Sequence, residues 1–273
     1  KMDKKMDKKI NTINLWPHHV SAQTGNPEDD FQPYLTPYML DDGKVHGAVL
    51  VCPGGGYAWR AAHEGGAIAE KLNKLGLHAL VVEYRVAPYR YPAPQQDIFR
   101  AVKITRGNAN AWRINPEKIA VMGFSAGGHL CASSGVMFDK IDANCGDIYD
   151  RENQRPDVII PCYAVISSGE FGHQGSFDNL LGEEEKNFSR ENLSLEKLIT
   201  SDTPPAFLWH TAEDGAVPVE NSLMFCSALR KCKLPFELHI FPHGGHGLGL
   251  AEALPEVAIW PELCVRFLKN LGF

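Results

Sequence analysis

Short apolar runs recur along the chain, separated by stretches whose apolar residues follow a helical period. Residues 45–52, 77–84, 119–123, 158–166, 206–211 and 236–241 are strand-length runs rich in Val, Ile, Leu, Ala and Phe. They read as strands, most of them buried on both faces. Between them, residues 63–75 place Ala67, Ile68, Leu72 and Leu75 on one helical face and stop at Gly76. Residues 94–109 do the same with Ile98, Ala101, Val102 and Thr105. Further helices are expected over 125–138, 219–231 and 256–271. Strands alternating with helices predict an α/β architecture, with a mostly parallel central sheet and helices on both faces. One stretch breaks the rhythm. Residues 167–203 are polar, carry the acidic run Glu183, Glu184 and Glu185, and offer only short helices near 177–181 and 194–199. We read this as a cap or lid insertion over the carboxyl edge of the sheet, where open α/β sheets bind ligands. A plain surface excursion is the alternative.

Composition narrows the picture. With 273 residues, 44% of them hydrophobic, the chain suits one large core, so residues 1–273 are expected to form a single domain. The amino terminus repeats Met-Asp-Lys-Lys and lacks the apolar segment of a signal peptide. Residues 1–14 are expected to be a flexible extension. A net charge of −6 argues against a nucleic-acid or anionic-membrane partner. No apolar run approaches the roughly 18 residues of a membrane span. The seven cysteines are scattered, several of them inside apolar runs, as in a reduced cytoplasmic protein. Neither C-x-x-C nor H-E-x-x-H occurs, so no metal site is expected, and no organic cofactor is implied. A homodimer is expected only because two-fold assemblies prevail among oligomers.

Chemistry concentrates at Gly123-Phe124-Ser125-Ala126-Gly127. This is a G-x-S-x-G sequence between an apolar run and a helix-compatible run of small residues, the setting of a nucleophile elbow. Gly123 and Gly127 lack Cβ, so strand and helix can meet closely and leave the Ser125 hydroxyl above the sheet edge. An ordinary turn serine is the competing reading. A serine hydroxyl needs a base, and histidine has the suitable proton affinity. His246 lies between Gly245 and Gly247 after the run 236–241; His243 is its neighbour and rival. His129 reads as a packed structural histidine. Asp214 follows the run 206–211 and precedes Val217-Pro218, which makes it the candidate to orient the imidazole; Glu213 beside it should point elsewhere. Pro53-Gly54-Gly55-Gly56 follows the first apolar strand. The N–H of Gly55 or Gly56, with that of Ala126, would form an oxyanion hole. Tyr57 and Trp59 follow directly and could wall a small acyl pocket or belong to core and rim.

Taken together these residues resemble the α/β-hydrolase superfamily in its hormone-sensitive-lipase-like branch, from about Val45 to Phe273. The likeness extends to Tyr84-Arg85-Val86-Ala87-Pro88 followed by Pro92-Ala93 and Asp97, and is strongest to small bacterial acetyl esterases and sugar hydrolases. It implies the α/β-hydrolase fold, with Ser125, Asp214 and His246 as the triad in the usual chain order. It also implies a serine esterase acting through an acyl-enzyme on short acyl groups, acetyl foremost, with acetylated sugars among the expected substrates. The implied partner is a small-molecule ester. Two positions depart from the branch: Pro53 stands where histidine often precedes the glycines, and Tyr89 stands where glutamate often follows Ala-Pro. A peptidase of the same superfamily and a non-catalytic binding protein on this scaffold are the competing functions.

Overall fold

The computed structural model describes residues 11–20, 30–182 and 188–273. Eight strands form one sheet in the order β1-β2-β4-β3-β5-β6-β7-β8. They span Ile13–Asn14 (β1), Tyr34–Tyr38 (β2), His46–Cys52 (β3), His78–Glu83 (β4), Ile114–Phe124 (β5), Val158–Cys162 (β6), Ala206–Thr211 (β7) and Phe236–Phe241 (β8). From β4 through β8 every pairing is parallel; β1 and β2 add an antiparallel edge.

The alternation of side chains along each buried strand divides the core in two. On β5, Ile119 and Val121 face one apolar cluster with Ile98 and Val102, whereas Ala120 and Met122 face the other with Ile68 and Leu72. Helices α2 (Ala93–Gly107), α4 (Ala126–Val136) and α6 (Glu220–Lys231) send apolar residues to the first cluster; α1 (Gly66–Lys74) and α7 (Trp260–Asn270) send theirs to the second. On that second face Trp209 and Trp260 stack with ring centroids 5.1 Å apart. This is the α/β-hydrolase arrangement expected from the sequence. A short α3 (Ala109–Trp112) precedes β5, and α5 (Gln174–Leu181) lies between β6 and β7.

Part of the amino-terminal expectation is corrected. Ile13 and Asn14, read as flexible extension, form β1 against Leu35 and Tyr34. Leu15 next to them is fully buried, and the Trp16 indole donates to Asp97 at 2.8 Å. Asp97 also pairs with Arg85 at 2.7 Å, so Arg85 and Asp97 of the branch signature form a buried ion pair that the amino-terminal segment covers. The acidic run at Glu183, Glu184 and Glu185 lies outside the described residues.

Candidate active site

The tight turn at Ser125 follows from its two glycines. A Cβ on Gly123 would lie 1.9 Å from the carbonyl oxygen of Gly127, and one on Gly127 would lie 2.3 Å from that of Cys52. Only glycine lets β5 and α4 approach this closely. Ser125 itself holds φ 56° and ψ −118°, a conformation costing a non-glycine residue about 1–3 kcal/mol. Its neighbours hold it there: its N–H donates to Cys162 at 3.1 Å, and its carbonyl accepts from His129 at 3.1 Å and Val165 at 3.0 Å.

Three side chains named from the sequence lie in one hydrogen-bonded line. Nε2 of His246 is 2.7 Å from Oγ of Ser125, and Nδ1 of His246 is 2.7 Å from Oδ2 of Asp214. A carboxylate only accepts, which assigns the proton to Nδ1 and leaves Nε2 to accept from the serine hydroxyl. Oδ1 of Asp214 accepts from the N–H groups of Ala216 at 3.0 Å and Val217 at 2.9 Å. Burial pushes the Asp214 carboxyl up, but hydrogen bonds from His210, His246 and the Val217 amide outweigh it. The group therefore sits well below the usual carboxylate range. His210 is fully buried and fixed between the Ser222 hydroxyl at 2.8 Å and the Val217 carbonyl at 2.9 Å. His243, the rival of His246, is exposed and pairs with Glu213 at 2.9 Å.

The loop carrying His246 is tied at several points. Thr211 donates to the Gly244 carbonyl at 2.8 Å, His63 to the Gly247 carbonyl at 2.9 Å, and the Gly249 N–H to the Tyr163 hydroxyl at 2.9 Å. Tyr163 in turn packs edge-on against His246, with ring centroids 5.2 Å apart.

The glycine turn is braced by a group the sequence did not single out. Buried Glu64 accepts from the Gly54 N–H at 2.7 Å and from the Tyr163 hydroxyl at 2.6 Å. Both contacts come from donors, and through Tyr163 one residue links the glycine turn to the histidine loop. It also sorts the candidate donors. The Gly54 N–H is engaged, whereas among the described residues no protein acceptor engages the N–H of Gly55, Gly56 or Ala126. Gly55 (φ 126°) and Gly56 (φ 63°) both occupy the left-handed region that favours glycine.

Ser125 and His246 open on a cleft of about 260 Å³ whose wall includes Gly55, Gly56, Trp59 and His173. Trp59, 64% exposed, stands at its rim. Tyr57 does not wall the cleft: it is 1% exposed, and its hydroxyl donates to Nδ1 of His129 at 2.9 Å. Tyr57 thus points into the core, the alternative reading for it, which corrects its assignment to the acyl-pocket wall. His129 is structural, because Nε2–H donates to the Leu193 carbonyl at 3.0 Å and burial pushes its pKa down to about 4.

The segment 167–203 reaches the cleft through Asn179 and His173. Asn179 donates to the Gly56 carbonyl at 2.9 Å. Nδ1 of His173 caps α5 by accepting from the Ser176 N–H at 3.3 Å, so the proton sits on Nε2, and the ring lines the cleft. Burial, then the nearby His246, lowers the His173 pKa, which favours the neutral ring as a donor. Nothing local in the sequence pointed to Glu64, Tyr163, His173 or His210; Glu64 and Tyr163 meet across 99 positions, whereas His173 and His210 take partners within a dozen residues that no motif marks. Elsewhere, Cys145, Asp147 and Asp150 bring three possible ligand atoms together. Arg100 already pairs with both carboxylates, and Asp150 accepts from the Cys145 and Gly146 amides, so they serve as structural anchors.

Comparison with known proteins agrees with this architecture. Residues 38–229 match the BD-FAE family. An acetyl ester-xyloside bifunctional hydrolase from Caldicellulosiruptor lactoaceticus superposes with TM-score 0.90 at 45% identity, covering 97% of each chain. The chain is 40% identical to endo-1,4-beta-xylanase B of Butyrivibrio fibrisolvens, covering 81% of this chain and 35% of that protein. It is 34% identical to the acetylxylan esterase of Xylanibacter ruminicola, covering 82% and 44%. The chain thus spans less than half the length of these two curated relatives. With the sheet order, the elbow geometry and a match over most of its length, the chain belongs to the BD-FAE family of α/β-hydrolases.

Proposed function

We propose that this protein is a serine carboxylester hydrolase that removes short acyl groups, acetyl foremost, from acetylated sugars. The observation that carries the reading is the unbroken line of two 2.7 Å contacts from Ser125 through His246 to Asp214. It opens on a cleft of about 260 Å³, which favours a short acyl chain. The relatives named for acetylxylan and acetyl-ester hydrolysis support a sugar as the alcohol.

In this mechanism Ser125 Oγ attacks the ester carbonyl as its proton passes to Nε2 of His246. Asp214 holds the imidazole tautomer and stabilises the imidazolium. The negative oxygen of the tetrahedral intermediate sits against the N–H of Ala126 and that of Gly55 or Gly56; loss of one such donor costs about 3 kcal/mol in the transition state. The C–O bond to the alcohol breaks as Nε2–H protonates the leaving oxygen. Water then loses a proton to Nε2, attacks the acyl-serine, and releases the acid and free Ser125. The depressed Asp214 carboxyl stays charged through mildly acidic conditions, so its hold on the His246 imidazole persists there. Trp59 forms the rim of the substrate site, His173 Nε2–H offers a donor to a sugar oxygen, and residues 167–203 act as the cap. The unpaired cysteines suit the reducing cytoplasm, and a homodimer is the default assembly.

Hydrolysis of p-nitrophenyl esters from acetate to octanoate, by wild type beside Ser125→Ala, tests the reading. The expected result is a preference for acetate and at least a 1,000-fold loss in the variant, on the order seen when a triad member is removed. Wild-type activity retained by Ser125→Ala would overturn it, and an inert wild type would favour a binding protein or a strict peptidase.

A further inference from the structure

A second cavity of about 470 Å³ lies beside the catalytic cleft, and Trp59 lines both. Its size falls within the range of small-molecule sites. The Trp59 ring is 64% exposed, an apolar face at the junction. Arg60 and Glu83, which also line the larger cavity, form an ion pair at 2.8 Å with side chains 21% and 24% exposed. The pair is held rigidly. Arg60 donates to the Tyr84 carbonyl at 2.9 Å, and its guanidinium lies 4.1 Å from the Phe31 ring centre. Among the described residues, Nη2 of Arg60 and Oε1 of Glu83 have no hydrogen-bond partner.

The cavity therefore joins an aromatic face to one fixed planar donor and one fixed planar acceptor. Their opposite charges cancel, so a phosphate or carboxylate gains little there. An uncharged ligand with apolar C–H faces and a rim of hydroxyl groups fits all three features, and a pyranose has that chemistry. An ester of a single sugar would occupy only the smaller cleft. We propose that the larger cavity is a carbohydrate subsite, which holds the neighbouring sugar of an acetylated oligosaccharide whose ester lies at Ser125. This inference rests on the esterase reading above and specifies that its alcohol is a glycan chain.

The test compares acetylated xylose, xylobiose and xylotriose with p-nitrophenyl acetate, in wild type, Glu83→Ala and Ala58→Phe. Ala58 also lines the larger cavity, so phenylalanine there fills it. We expect wild-type kcat/KM per acetyl group to rise with chain length by about tenfold, equivalent to one strong added contact. Both variants should lower the ratio of oligosaccharide to p-nitrophenyl acetate turnover by a similar factor. Turnover of p-nitrophenyl acetate reports that each variant is folded. Chain-length independence in an active wild type, or an unchanged ratio in both variants, would overturn the subsite alone. A wild type inert toward every ester would overturn the catalytic reading and the subsite with it.

Discussion

His129 shows how a residue close to Ser125 can act only through stability. Its ring is fully buried between Tyr57 and Leu193, and burial lowers its pKa from 6.5 to about 4. The unfolded chain therefore binds a proton below pH 6.5 that the folded chain refuses. Stability contributed by the neutral ring is present above pH 6.5 and is lost as pH falls toward 4, by about 3 kcal/mol in all. Urea unfolding measured across that interval should show a shallower loss for His129→Gln than for wild type. Parallel pH profiles would assign the acid sensitivity to other groups. Glu64 is the contrasting case: a buried carboxylate that joins the Gly54 amide to Tyr163 and so connects the glycine turn to the loop of His246.

The elbow is an element-scale device, since neither β5 nor α4 alone requires glycine at its end. The requirement appears where they meet. A methyl group at Gly123 would overlap the Gly127 carbonyl at 1.9 Å, whereas one at Gly76 meets no atom within 4 Å. Gly123→Ala should cost more than about 3 kcal/mol by forcing strand and helix apart. Gly76→Ala, at φ 92°, should cost about 1–2 kcal/mol of backbone strain alone. Chemical denaturation of the two variants checks the order, and equal losses would refute the close-packing argument. The amino-terminal edge was illegible for an equally physical reason. Tyr34–Tyr38 contains Pro37 and buries only Leu35, so it lacks the apolar run of a central strand; proline is tolerated there because the strand lies near the sheet edge. The expected strand 158–166 was too long because the chain turns at Tyr163, with φ 33°, and its apolar residues continue into a buried loop.

Across the whole molecule, local patterns made the parallel core readable. Val49 to Val51, Ala79 to Val82 and Phe207 to Trp209 are buried on both faces, and such burial writes itself as consecutive apolar residues. Ser125, Asp214 and His246 could be named because each follows a strand at the same end of the sheet. What surrounds them could not, because those contacts cross long stretches of sequence. Glu64 reaches Tyr163 across 99 positions, and Asn179 reaches Gly56 across 123. The fold thus gathers the Ser125 hydroxyl, the His246 imidazole and the N–H groups of the glycine turn beside two cavities that share Trp59. The central claim is that Ser125 carries the acyl group between ester and water. Acid quenching during turnover of p-nitrophenyl acetate, followed by peptide mass spectrometry, tests it most directly. The account predicts an acetyl adduct on the peptide containing Ser125, located on that residue, and none on the Ser125→Ala protein. Steady turnover with the adduct on another residue, or undiminished turnover by Ser125→Ala, would contradict it.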